Sequence, residues 1–209
     1  MTYHAWLVNE LPINQDCQNL IKQHMNIIVD YKWIDYPLKN GYVAYSYPFL
    51  STWFSKKLFD SLSMLDFKQS EMRIYNKKVL TPRLQTWMGD SDVNASIYTK
   101  LHPNPWSEEM LLLKYTLETL THFKFNYVLI NYYRDGDDYI SYHSDKESIG
   151  EGKNVICSIS LGATRQFVLK HRDKTIPKQS FMLENGSLIV MKGDDNNSIG
   201  NIQSPKRNA

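Results

Sequence analysis

The chain has 209 residues, 42% hydrophobic and 22% charged, with a formal net charge of +2. That length supports one ordinary hydrophobic core, and the charge is too mild to mark a nucleic-acid binder. No run of about twenty apolar residues offers a membrane span, and "MTYHAWLVNELP" lacks the basic-then-apolar form of a secretory leader, so the chain reads as intracellular with no membrane association. Cys17 and Cys157 lie far apart without C-x-x-C spacing, which argues for reduced thiols rather than a disulfide framework or a zinc ribbon.

In chain order, residues 14–29, "NQDCQNLIKQHMNIIV", set Leu20, Ile21, Met25 and Ile28 near helical spacing behind two candidate caps, Asn14 and Asp16. A second helix is predicted in "PWSEEMLLLKYTLETLTHF". Ser107 can cap it, Glu108 and Glu109 suit its positive first turn, and Met110, Leu113, Leu117 and Leu120 share one face. From Phe125 the apolar period changes to two. The strand candidates are "FNYVLINYY", "YISYHSD", "NVICSISLGA", "RQFVLKH" and "GSLIVMK", separated by "RDGDD", "KESIGEGKN", "HRDKTIP" and "ENG". Consecutive antiparallel strands of this kind predict a barrel or jelly roll. From Lys192 the tail is polar and asparagine-rich, with little apolar surface to offset its ordering entropy, and reads as loop or disorder.

Residues two apart on a strand face the same side, so His143 and Asp145 would project an imidazole and a carboxylate into one space. Asn131 and Tyr133 would do the same on the preceding strand. Taken alone, an H-x-D pair is more often a surface or hydrogen-bonded couple, and Asn131 with Tyr133 a buried hydrogen-bonded pair. With a second histidine from a distant strand, the pair would make the facial triad of a non-haem Fe(II) oxygenase, leaving positions open for co-substrate and oxygen.

The run "FNYVLINYYRDGDDYISYHSDKE", followed by "ISLGATRQFVLKHRD" and "LENGSLIVMKG", resembles the AlkB family of Fe(II)- and 2-oxoglutarate-dependent nucleic-acid dealkylases. "PRLQTWMGD", Pro82 to Asp90, resembles the segment before the barrel in that family's duplex-DNA repair branch. The resemblance implies an α+β fold built on a double-stranded β-helix, a jelly-roll-type barrel, with an N-terminal α/β extension. It divides the chain into a helix-containing segment (1–71), a dioxygenase core (72–193) and a polar tail (194–209). It implies His143 and Asp145 as iron ligands, Asn131 and Tyr133 as hydrogen-bond partners of 2-oxoglutarate, and Tyr75, Arg83 and Glu147 as contacts to substrate. Tyr75, in "MRIYNKKVL", falls where the duplex-repair branch has an aromatic finger that fills the gap left by a flipped base. Lys77 and Lys78 beside it could touch phosphate. The plainer alternatives are a half-buried strand aromatic for Tyr75, solvation or mutual pairing for Arg83 and Glu147, and packing for Trp87 and Trp106.

Near the C-terminus the sequence departs from that family's pattern. Of the six histidines, His4, His24, His102, His122, His143 and His171, the last alone follows the pair, in a segment where the family's histidine is not a ligand. The family's second ligand histidine lies in a W-x-H-S-x-P-K-R-like run; here the run reads "SIGNIQSPKR", with Asn201 or Ile202 in the histidine's place. Family members continue into a strand whose arginine grips the far carboxylate of 2-oxoglutarate in a bidentate fork, whereas these residues stop at Ala209. A barrel short of one strand would leave an edge for another segment to cover. The expected function is oxidative dealkylation of bases in DNA or RNA, double-stranded DNA foremost, by a monomer that uses Fe(II) and 2-oxoglutarate and is impaired by these losses. The alternative expectation is a catalytically inactive module that binds nucleic-acid lesions.

Overall fold

The computed structural model describes residues 2–8, 27–38, 41–74, 77–90, 102–142, 155–171, 173–193 and 201–203. Among them the elements run β1 (Thr2–Val8), β2 (Ile34–Leu38), β3 (Gly41–Ser46), α1 (Thr52–Ser63), β4 (Glu71–Ile74), β5 (Lys77–Leu80), β6 (Leu84–Gly89) and α2 (Glu108–Thr121). They continue with β7 (Tyr127–Tyr133), β8 (Val155–Gly162), β9 (Arg165–Lys170), β10 (Gln179–Leu183), β11 (Ser187–Gly193) and β12 (Asn201–Gln203).

Both helices start on a serine cap. Ser51 Oγ accepts from the Phe54 amide at 3.1 Å and Ser107 Oγ from the Met110 amide at 3.2 Å, satisfying donors that a first turn leaves orphaned. Helix α2 ends on His122 in the left-handed region (φ 61°).

The main sheet has seven strands in the order β2-β3-β11-β8-β1-β7-β6, every neighbouring pair antiparallel. A smaller sheet has the order β10-β9-β12. Strand β8 shows why the main sheet is covered on both sides. Val155, Cys157, Ile159 and Leu161 join one core with Phe54, Leu58 and Leu62 of α1 and Met110, Leu113 and Leu117 of α2. Its alternate residue Ile156 packs against a second core, in which Val43, Ile189 and Met191 of the main sheet meet Phe167, Leu169, Phe181 and Leu183 of the smaller one. Helices therefore lie on one face and the small sheet on the other. The structure is sheet-rich α+β, and among the described residues the two sheets are not joined into a closed barrel.

The predicted second helix, and four of the five predicted strands, are found as α2, β7, β8, β9 and β11. The fifth differs: residues 139–142 are not in a strand, and the Tyr139 amide donates instead to the Pro82 carbonyl at 2.8 Å. The tail differs too. Asn201–Gln203 forms β12, paired to Lys170–Val168 of β9, because the open edge of β9 offers amide and carbonyl groups that pair with any backbone, whatever its side chains. Of the helix predicted at 14–29, residues 14–26 lie outside the described residues, and Ile28 bridges Leu50 without being helical. Strand β1 sits between β7 and β8, pairing Thr2–Val8 with Tyr133–Tyr127 on one side and Thr2–Leu7 with Gly162–Cys157 on the other. The main sheet thus has an N-terminal segment at its interior.

Candidate functional site

Strand β7 splits its side chains between the two cores. Val128 and Ile130 face the helices, Leu129 packs in the core under the small sheet, and the two-residue period puts Asn131 and Tyr133 on the same side as Leu129. Both expected co-substrate residues are therefore inward and buried, at 1% and 3% exposure. Strand β6 pairs with β7 so that Gln85 stands opposite Asn131. Gln85 Nε2 donates to Asn131 Oδ1 at 3.0 Å, and Arg83 Nε donates to the same oxygen at 2.9 Å.

The segment before β6 fixes Arg83 in that position. The Thr81 amide donates to the Ser70 carbonyl at 2.8 Å, Thr81 Oγ1 adds a bond to the same carbonyl at 3.1 Å, and the Pro82 carbonyl takes the Tyr139 amide. Arg83 is 9% exposed, and among the described residues no carboxylate forms an ion pair with it. Asp138, whose charge it feels, is held by Arg134 through Nε and Nη2, each at 2.8 Å. Burial pulls the Arg83 pKa down from the ordinary guanidinium value, with Tyr133 and Asp138 opposing, and a guanidinium starts so high that it stays charged.

A second cation closes over Tyr133. Arg165, at the start of β9, lies with Cζ 4.5 Å from the centre of the Tyr133 ring, and it donates to the carbonyls of Asp135 (2.9 Å) and Asp138. Burial raises the Tyr133 pKa, with Arg83 and Arg165 opposing, so at neutral pH the hydroxyl keeps its proton and can donate it. Asp138 titrates below the usual aspartate range, chiefly because Arg134 hydrogen-bonds its carboxylate. On the same inner face of β8, Ser158 Oγ is buried with no hydrogen-bond partner among the described residues. Among the described residues, a guanidinium without an ion-pair partner beside a protonated phenol suits the carboxylates of a small organic acid such as 2-oxoglutarate.

The remaining expected residues cannot be joined to this cluster, because His143, Asp145, Glu147 and Tyr75 lie outside the described residues. Among the described residues no group of three His, Cys, Asp or Glu side chains could hold a metal. On either side of positions 75 and 76 in the sequence, β4 and β5 pair antiparallel with Ile74 opposite Lys77; Lys77 and Lys78 are exposed, and Lys78 pairs with Glu71 at 2.9 Å. Trp87 packs in the interior at 1% exposure, and Trp106 donates to Asp90 Oδ1 at 2.8 Å beneath the ammonium of Lys114. Sequence reasoning missed Gln85 and Arg165. The two-residue spacing of Arg83 and Gln85 in "PRLQ" was the available signal for the first; nothing local marks the second.

A sequence profile of the 2OG-Fe(II) oxygenase superfamily matches residues 48–208. The chain is 36% identical over 121 residues to the alpha-ketoglutarate-dependent dioxygenase alkB homolog 3 of Mus musculus, covering 54% of this chain and 42% of that protein. It is 32% identical over 135 residues to the DNA oxidative demethylase ALKBH2 of Bos taurus, covering 61% and 49% respectively. With the DNA oxidative demethylase ALKBH2 of Arabidopsis thaliana it shares 28% identity over 180 residues, covering 73% and 56%. The chain spans about half the length of the curated relatives it matches. No described helix is long and apolar enough to cross a membrane. The profile runs through every strand that carries the buried cluster, and the chain belongs to the 2OG-Fe(II) oxygenase superfamily as an AlkB-like member, whose cofactors are Fe(II) and 2-oxoglutarate.

Proposed function

We propose that the chain carries an AlkB-type site for oxidative removal of alkyl groups from nucleic-acid bases, duplex DNA foremost, and that its turnover is slowed by an incomplete set of iron ligands. The observation that supports this most is the buried cluster of Arg83, Asn131 and Gln85 beside Tyr133, on the face of the main sheet that the small sheet covers. In this reading Asn131 and Tyr133 orient 2-oxoglutarate, while His143 and Asp145 are the protein ligands to Fe(II). Tyr75 and Glu147 serve the flipped base, with Arg83 between base and co-substrate. When bound, Fe(II) would activate dioxygen, the oxidant, which takes two electrons from 2-oxoglutarate as that becomes succinate and carbon dioxide and two from the alkyl carbon as it is hydroxylated. The chain's own part is to exclude water beneath the small sheet and to present the protonated Tyr133 hydroxyl to a carboxylate oxygen.

The fold we assign to this unit is a double-stranded β-helix with an N-terminal α/β extension, its core in 72–193 and its main sheet completed by β1–β3. We read the protein as an intracellular monomer acting on DNA. The slowed turnover rests on the residue at the second histidine's place: an Asn201 amide or an Ile202 side chain is a poorer iron ligand than imidazole.

The test is formaldehyde release from a duplex carrying a methylated base, with Fe(II) and 2-oxoglutarate supplied. Little release is expected from the unaltered chain, and more from Asn201→His or Ile202→His. Vigorous release from the unaltered chain contradicts the impairment. Tight binding of the methylated duplex without release from any of the three selects the lesion-binding module instead.

A further inference from the structure

Arg165 ties the small sheet to the main one beside the buried cluster. It opens β9, opposite Leu183 of β10, and its guanidinium lies over the ring of Tyr133, the last residue of β7, with Cζ 4.5 Å from the ring centre. The same group donates through Nη1 to the Asp135 carbonyl at 2.9 Å and through Nη2 to the Asp138 carbonyl. A planar guanidinium can do all three at once, because its edge carries the donors and its face is left to stack on the ring.

The turn that Arg165 grips has bonds of its own. Arg134 holds the Asp138 carboxylate through Nε and Nη2, each at 2.8 Å, and Asp135 Oδ1 accepts the amides of Asp137 and Asp138 at 2.9 and 3.2 Å. Those bonds shape residues 134–138 without fixing the ring of Tyr133. Arg165 adds that link, setting the ring against a turn that is already held. Tyr133 is 3% exposed, and the positive charge on its ring opposes the burial that raises its pKa, so the hydroxyl becomes a stronger donor while it keeps its proton.

We propose that Arg165 is a positioning residue for 2-oxoglutarate, acting through Tyr133: it holds the ring so that the hydroxyl meets a carboxylate oxygen, and does not itself touch the co-substrate. This deepens the co-substrate reading above and rests on it.

The test is a double-mutant cycle on 2-oxoglutarate affinity, measured by calorimetry on the full 209-residue chain with Mn(II) present, which needs no turnover. Arg165→Gln should weaken binding by about three- to tenfold, and Tyr133→Phe, which removes the hydroxyl, by a similar factor. In the Tyr133→Phe background Arg165→Gln should change affinity by less than about twofold, because the group it positions is gone. Arg165→Lys keeps the cation but has no planar fork for two carbonyls; it should weaken binding less, vanish in the Tyr133→Phe background in the same way, and carry the cycle if Arg165→Gln folds poorly. An equal loss in both backgrounds, as general loosening or a direct contact from Arg165 to the ligand would give, overturns the inference and leaves the co-substrate reading standing. So does the absence of any loss when Arg165 alone is changed. An unaltered chain that does not bind 2-oxoglutarate, or a Tyr133→Phe variant that binds it as tightly as the unaltered chain, overturns both.

Discussion

Asn131 is the residue whose replacement tests the site's packing logic most sharply, because its Oδ1 satisfies two buried donors at once, Arg83 Nε at 2.9 Å and Gln85 Nε2 at 3.0 Å. Asn131→Leu keeps the volume and removes the acceptor. A buried donor left unsatisfied costs about 1–3 kcal/mol, the charged one at the upper end, so the variant should lose about 3–4 kcal/mol. For a chain of this size that corresponds to a Tm lower by roughly 6–16 °C. Asn131→Asp restores an acceptor for both donors and places a negative charge against Arg83, so it should stay within about 1 kcal/mol of the unaltered protein while losing 2-oxoglutarate. Urea denaturation followed by far-ultraviolet circular dichroism gives both stabilities. The reasoning is refuted if Asn131→Leu is as stable as the unaltered chain, or if Asn131→Asp is as damaged as Asn131→Leu.

Three further outcomes follow from positions outside the cluster. Asp138 titrates below the ordinary aspartate value of 3.8, so its bonds to Arg134 stabilise the fold above that pH, and this contribution is lost as pH falls through the lower folded value. With Arg134 half-exposed, Asp138→Asn should cost about 1–2 kcal/mol at pH 7, and the gap should narrow below the ordinary aspartate value in a series of urea melts. His122 caps α2 with φ 61° on the surface, so His122→Gly should raise stability by about 0.5–1 kcal/mol, read as a higher Tm. Gly186 has φ +80°, and an added Cβ would sit 2.7 Å from Ser55 Oγ and 3.2 Å from the Leu50 carbonyl. Gly186→Ala should therefore destabilise by about 2 kcal/mol or more, and a melting curve matching the unaltered chain would contradict the strained turn.

The sequence made some elements legible because their signal is local. Ser107 and the apolar face of α2 announce a helix, and the alternation Val155, Cys157, Ile159, Leu161 announces β8 within its own residues. The tail strand β12 was not legible, since it is made by the vacant edge of β9 and not by its own polar residues. Residues 139–142 alternate like a strand, yet the Tyr139 amide is committed to Pro82, a partner set by tertiary structure. The interior place of β1 is likewise a matter of which neighbours its backbone meets. In the site, the period of β7 sufficed to turn Asn131 and Tyr133 inward together. The link from Arg83 to Asn131 could not be read in this way, because it depends on the register of β6 against β7 across 48 residues of sequence.

The most direct test of the AlkB-type site is an anaerobic titration of the purified chain with Fe(II) and 2-oxoglutarate, followed by visible absorption. The account predicts a charge-transfer band that requires both additions and develops only with Fe(II) in large excess over protein, as two protein ligands in place of three would give. A folded chain that shows no band at any excess of the two would contradict it.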